Sequence, residues 1–150
     1  MKGKFRQALR ENRWLKAVPN SLTLCNSLCG FAAILVTMHA YKYQSDPARM
    51  MHVYAWSAFL ILFAMVFDAF DGYAARLFNA ASMHGIQMDS LADMTTFGVA
   101  PATLVAVMAH NVQRLETPRE FIPICVLCGV YLGCAALRLA TYNVHAILEK

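Results

Sequence analysis

Four aspartates are the residues of this sequence best suited to chemistry. Asp68 and Asp71 stand three apart, and Asp89 and Asp93 four apart, so each pair shares one face of a helix. Both pairs interrupt otherwise apolar sequence. A charged Asp well inside a membrane helix costs about 2.5–3.5 kcal/mol, so four placed deep would cost on the order of 10 kcal/mol before mutual repulsion, and less near the interface. The one nearby cation, Arg76, cannot neutralise them. Four separately solvated helix-end carboxylates would need no partner, but pairing on two segments favours a shared site. Oxygen-only ligands in this number suit a hard divalent ion, Mg2+ or Mn2+, rather than zinc.

Small residues surround the pairs: Gly72, Ala74, Ala75, Ala80, Ala81 and Gly85. They leave room for close helix packing or for a bulky ligand, and exposed backbone beside Arg76 suits a phosphate. Two divalent ions would bring four carboxylates and Arg76 to one net positive charge. A pyrophosphate diester, with two negative charges, would then leave the site near balance. One ion would not, so phosphoryl chemistry calls for two.

The elements that must position these groups are membrane helices. Of 150 residues, 59% are apolar and 15% charged, with a mean hydropathy of +0.44. A soluble domain carries about a quarter charged residues, and a disordered chain is poor in apolar ones; both classes are excluded. Residues 17–41, 50–67, 94–113 and 121–137 contain no Asp, Glu, Lys or Arg, and a spanning helix needs roughly 20 residues. The fold expected is all-α, a polytopic bundle of about four spans in one membrane domain over 19–150. Pro19 is expected to open the first helix. The second should run from Pro47 to about Phe78, the third from about Met88 to His110 with bends at Gly98 and Pro101, and the fourth from about Phe121 to His145. Helix rise puts Asp68 roughly 27 Å beyond Met50, and Asp93 roughly 26 Å from His110. Both arms therefore bring their carboxylates to one level near the membrane surface, where the four can converge.

Residues 1–18 hold Lys2, Lys4, Arg6, Arg10, Arg13 and Lys16, interleaved with Phe5, Leu9, Trp14 and Leu15. They read as a basic amphipathic juxtamembrane segment on anionic lipid or a plain positive flank, and not as a cleaved signal peptide. With that end inside, the inner segments hold nine Lys and Arg and the outer loops four, which places the N-terminus and the aspartates on the cytoplasmic side of the cell membrane. Cys25, Cys29, Cys125, Cys128 and Cys134 all fall in the spans. The lone C-x-x-C reads as small buried residues rather than a metal or redox site. His84, on the inner connection, reads as solvated. Nothing suggests nucleic acid as a partner.

The run Asp68-Ala-Phe-Asp71-Gly72-Tyr-Ala-Ala75-Arg76, eight residues, Gly85, three residues, Asp89, three residues, Asp93 resembles the signature of the CDP-alcohol phosphotransferases, D-x2-D-G-x2-A-R-x8-G-x3-D-x3-D, at all eight fixed positions. Within that family the chain is most similar to the phosphatidylserine synthases of bacteria and archaea. Three stretches carry this: Pro19–Phe31 with Asn20, Thr23, Asn26 and Gly30; Asp89-Ser-Leu-Ala-Asp93 continuing to Pro101; and Leu137–Asn143 with Arg138. Members using glycerol phosphate or inositol phosphate typically have proline where this chain has Ser90. Thr141 replaces an arginine common in the serine synthases. Family members usually have six core spans, so the four here resemble the N-terminal two-thirds of such an enzyme.

The resemblance implies transfer of a phosphatidyl group from CDP-diacylglycerol to the hydroxyl of L-serine, releasing CMP, and a homodimer as the common assembly. It implies metal binding by Asp68, Asp71, Asp89 and Asp93, with Asp93 also the general base. Gly72, Ala75, Arg76 and Gly85 would line the nucleotide, with Asn20 and Thr23 as further contacts or as helix-packing polar residues. Arg138 would reach an anionic acceptor group or act as a snorkelling flank charge. The rival readings are the same chemistry on another alcohol, a divalent-cation pathway using the aspartates, and a non-catalytic protein that keeps the motif.

Overall fold

The computed structural model describes residues 13–77, 83–113 and 117–148. Helix α1 spans Arg13–His39 and passes through a short 3-10 turn, Ala40–Tyr43, to α2, Pro47–Leu77. Helix α3, Met83–Asp93, runs through a π-helical segment, Met94–Val99, into α4, Ala100–Gln113. Helix α5, Pro118–Leu148, closes the order. Four stretches are long and apolar enough to cross a membrane: Asn20–Tyr43, Pro47–Tyr73, His84–Gln113 and Pro118–His145. The protein is a multi-pass helical membrane protein, as its uncharged runs predict.

Burial is inverted relative to a soluble domain. The bulkiest fully buried side chains are Asn26, Thr37, Thr96 and Ser57, while Leu, Phe, Trp and Tyr side chains such as Leu28, Trp56, Phe59 and Phe70 face outward. Hydrocarbon welcomes the apolar side chains, so helices associate instead through small and polar ones. On α1 and into the turn after it, the buried positions are Thr23, Asn26, Gly30, Ala33, Thr37 and Ala40, alternating steps of three and four that make one stripe. Helix α2 answers with Met50, Tyr54, Ser57, Ala64 and Asp71, and the α1–α2 contact is the most extensive in the fold. A polar pin closes it near the turn. Thr37 Oγ1 and Ser57 Oγ lie 2.6 Å apart, and both hydroxyls reach the carbonyl of Ala33, at 2.9 and 2.8 Å.

Three boundaries differ from the sequence expectation. The described part of α1 already includes Arg13, six residues before Pro19, so Pro19 sits inside the helix rather than opening it, as membrane helices tolerate. The basic segment expected over 1–18 lies outside the described residues up to position 12. The described part of the third span already includes Met83, five residues before the expected start, so Asp89 lies inside α3 rather than in its first turn. The expected bends at Gly98 and Pro101 become a π segment over Met94–Val99, in which the N–H of Ala100 bonds to the carbonyl of Thr95. Pro101 cannot donate to the carbonyl of Phe97, four residues back. The Tyr131 hydroxyl of α5 donates to that carbonyl instead, at 2.6 Å.

Helix α5 attaches along one narrow stripe. Ser90 and Asn143 exchange hydrogen bonds at 2.8 and 3.0 Å, Cys128 Sγ reaches the carbonyl of Ala102, and Phe121 meets His110 edge-on. None of the five cysteines is fully buried, and Cys125 and Cys134 are exposed, contrary to the expectation of buried packing residues. Cys125 and Cys134 lie off the face through which α5 is packed. All five are free thiols.

Gly30 is where α1 and the π segment meet. A Cβ there would press on Thr96 Oγ1 and lie 2.8 Å from the backbone Cα of Thr96, whereas one on Gly133 would meet nothing within 4 Å. Gly30→Ala should therefore cost about 1–3 kcal/mol in thermal unfolding of the detergent-solubilised protein. Gly133→Ala should lose no stability, and equal behaviour of the two variants would contradict this packing.

Candidate active site

The second and third spans bring the two aspartate pairs together. Asp68 and Asp71 lie near the end of α2, and Asp89 and Asp93 close α3. Asp68, Asp71 and Asp89 each offer a carboxylate oxygen, and the three atoms lie within 4.8 Å of one another. Asp93 adjoins Asp68 and Asp89 without joining that trio.

The trio fits a divalent ion on two observations. Around one Mg2+ with bonds near 2.1 Å, ligand oxygens stand about 3.0 Å apart when adjacent and about 4.2 Å when opposed, a spacing that side-chain rotation brings within reach of this trio. Asp89 Oδ1 is also buried with no hydrogen-bond partner among the described residues. A buried carboxylate oxygen left so is costly, and a cation satisfies it directly.

Helix α1 supplies neutral polar groups to the same place. Thr23 is buried and its hydroxyl donates to Asp71 Oδ2 at 2.9 Å. The sequence suggested Thr23 for the nucleotide or for helix packing; the contact found is with the aspartate cluster. Asn26, one turn on, donates from Nδ2 to Asp93 Oδ1 at 3.3 Å. Sequence reasoning did not assign Asn26 a role. The available signal was its position three residues after Thr23, on the same helix face within an uncharged run.

The remaining residues are placed as follows. Gly72 and Gly85 are half-buried, Gly72 next to Asp71 and Gly85 one turn before Asp89. Asn20 is half-buried one turn before Thr23. Ala75 and Arg76 belong to the last turn of α2, and their side chains lie outside the described residues. Arg138 is exposed on α5, five residues before the Asn143 that bonds Ser90. His84 is exposed, as expected.

A bundle of apolar helices enclosing an aspartate cluster defines a membrane protein with an acidic polar centre. Residues 16–149 match the CDP-alcohol phosphatidyltransferase family, and the chain belongs to it. It is 40% identical over 129 residues to the CDP-diacylglycerol–serine O-phosphatidyltransferase of Bacillus subtilis, covering 85% of this chain and 62% of that protein. It is 33% identical over 130 residues to the archaetidylserine synthase of Methanothermobacter thermautotrophicus, covering 85% and 47%. A third relative, the CDP-diacylglycerol–serine O-phosphatidyltransferase of Saccharomyces cerevisiae, is 34% identical over 123 residues, covering 82% and 40%. The chain thus spans about two-fifths to three-fifths of the length of these relatives. No solved structure matches it.

Graded effects on Mn2+ binding test the cluster. Asp89→Asn or Asp68→Asn should weaken Mn2+ by more than the roughly 10–100-fold that outer hydrogen-bond partners carry, and Thr23→Val by about 10-fold. Glu120→Gln, on the exposed first turn of α5, should change nothing. Titration followed by electron paramagnetic resonance reads all four variants.

Proposed function

We propose that the protein transfers the phosphatidyl group of CDP-diacylglycerol to the hydroxyl of L-serine, giving phosphatidylserine and CMP. The observation that carries this is the convergence of the family's aspartates, in a chain whose relatives bear the names of serine-using synthases. Ser90 in place of the proline typical of members using other alcohols supports serine as acceptor.

Asp68, Asp71 and Asp89 would hold divalent ions, Mg2+ or Mn2+ and two in number by the charge argument, with Asp93 shared between metal binding and the base role. Bound there, such ions supply positive charge to the pyrophosphate and to the CMP leaving group. Thr23 holds the Asp71 carboxylate in place by its hydroxyl. Gly72, Ala75 and Gly85 leave space for the nucleotide, Arg76 serves a phosphate, and Asn20 is a further polar contact on α1, one turn before Thr23. Arg138 would meet an anionic acceptor group. Asp93 receives the proton of the serine hydroxyl as its oxygen bonds to the lipid-linked phosphorus. The bond from that phosphorus to the CMP oxygen breaks, and the electron pair leaves with CMP.

The excess of Lys and Arg on the N-terminal side supports a multi-pass protein of the inner, or cytoplasmic, membrane with this site facing the cytoplasm. The family resemblance supports a homodimer.

The test is CMP release by membranes carrying the full-length protein, given CDP-diacylglycerol, Mn2+ and one labelled alcohol at a time. Serine should support release and yield labelled phosphatidylserine. Asp93→Asn should lower that rate by at least about 100-fold while CDP-lipid binding persists. Turnover with glycerol phosphate or inositol phosphate but not serine would overturn the acceptor. Unchanged turnover in Asp93→Asn would overturn the base.

A further inference from the structure

Asn26 is the buried polar residue at this site that the transfer chemistry leaves without a task. Its side chain has no exposed surface. Nδ2 donates to Asp93 Oδ1 at 3.3 Å, while Oδ1 is buried with no partner among the described residues. A flipped amide would face oxygen to carboxylate oxygen, so the donor must point at Asp93. An orphaned amide oxygen costs about 1–3 kcal/mol, and a leucine of similar size would pack here without that cost.

The backbone around Asn26 is pinned as closely as its side chain. Its carbonyl accepts from Thr96 Oγ1 at 3.1 Å, and Thr96 lies fully buried in the π segment, three residues after Asp93. Gly30 lets that segment approach α1. The donor on α1 and the carboxylate at the end of α3 are thus registered by a contact one turn away. Asp93 touches the trio on one side only, next to Asp68 and Asp89.

We infer that Asn26 is a positioning residue for Asp93: its amide holds Oδ1 and so sets the orientation in which Oδ2 receives the alcohol proton. This rests on the proposed transfer, with Asp93 as base. The alcohol O–H breaks, its proton passes to Oδ2, and its oxygen bonds to phosphorus as CMP departs.

The test uses the full-length protein in detergent and in membranes. Asn26→Leu keeps volume and removes the donor; it should lower kcat by about 100-fold while KM for the CDP-lipid and Mn2+ affinity stay within about threefold. An unchanged kcat overturns the inference. So does a fall in kcat matched by lost Mn2+ binding and a lower melting temperature, which a purely structural role would produce.

A second measurement needs neither turnover nor a stable leucine variant. In protein labelled with 15N at asparagine, the Asn26 side-chain amide, assigned by its loss in Asn26→Ser, should be protected from exchange and shift in Asp93→Asn. An exchanging amide, or one indifferent to Asp93→Asn, overturns the hydrogen bond. If the unsubstituted protein transfers to no alcohol, the transfer reading fails by itself, and this resonance still decides whether Asn26 holds Asp93.

Discussion

Like charge gathered inside an apolar bundle is the constraint around which this structure is arranged. Asp68, Asp71 and Asp89 present oxygens within 4.8 Å of one another, with Asp93 alongside. At about 4 Å, two unit charges repel by roughly 4 kcal/mol at an effective dielectric of 20, and this cluster multiplies such pairs. Hydrogen bonds from Thr23 and Asn26 relieve part of that repulsion, but neutral donors cannot cancel net charge. A divalent cation can.

The rest of the bundle is built so that the cluster can stay closed. Helix α1 has little apolar bulk on its inner face, and its stripe of Thr, Asn, Gly and Ala admits α2 and the π segment to short range. The Thr37–Ser57 pin fixes its depth against α2. Model systems give such interhelical bonds about 0.6–2 kcal/mol each, so they set register more than they set total stability. At the far end, Asn111 donates to the Tyr54 hydroxyl at 2.7 Å, and Ala40, Met50 and Tyr54 form a small apolar core. The hairpin of α1 and α2 is therefore held near its turn by these contacts, and at its other end by the Thr23–Asp71 bond.

The π segment links the site to α5. Its extra residue turns the helix face between Asp93 and Ala100, so Thr96 can meet α1 while the freed carbonyl of Phe97 turns to Tyr131. The same carbonyl is freed because Pro101 lacks an N–H, which makes one proline responsible for a contact between residues 34 apart. Ser90, beside the metal-ligand candidate Asp89, is bonded to Asn143, so α5 reports on the site through two contacts rather than through a broad face.

The sequence alone determined the class of fold and the chemistry of the centre. Uncharged runs of spanning length, and aspartates at spacings of three and four, are one-dimensional quantities, and helix geometry converts them directly into spans and faces. The family signature was legible for the same reason, since its fixed positions lie within 26 residues. Tertiary structure decided which oxygens form the compact trio, that Thr23 serves Asp71, and that Asn26 serves Asp93. It also decided that a π segment replaces the expected bends. These depend on the rotation and depth of α1 against helices 48 to 70 residues distant, and a single inserted helical residue changes that rotation without leaving a periodic trace in the sequence.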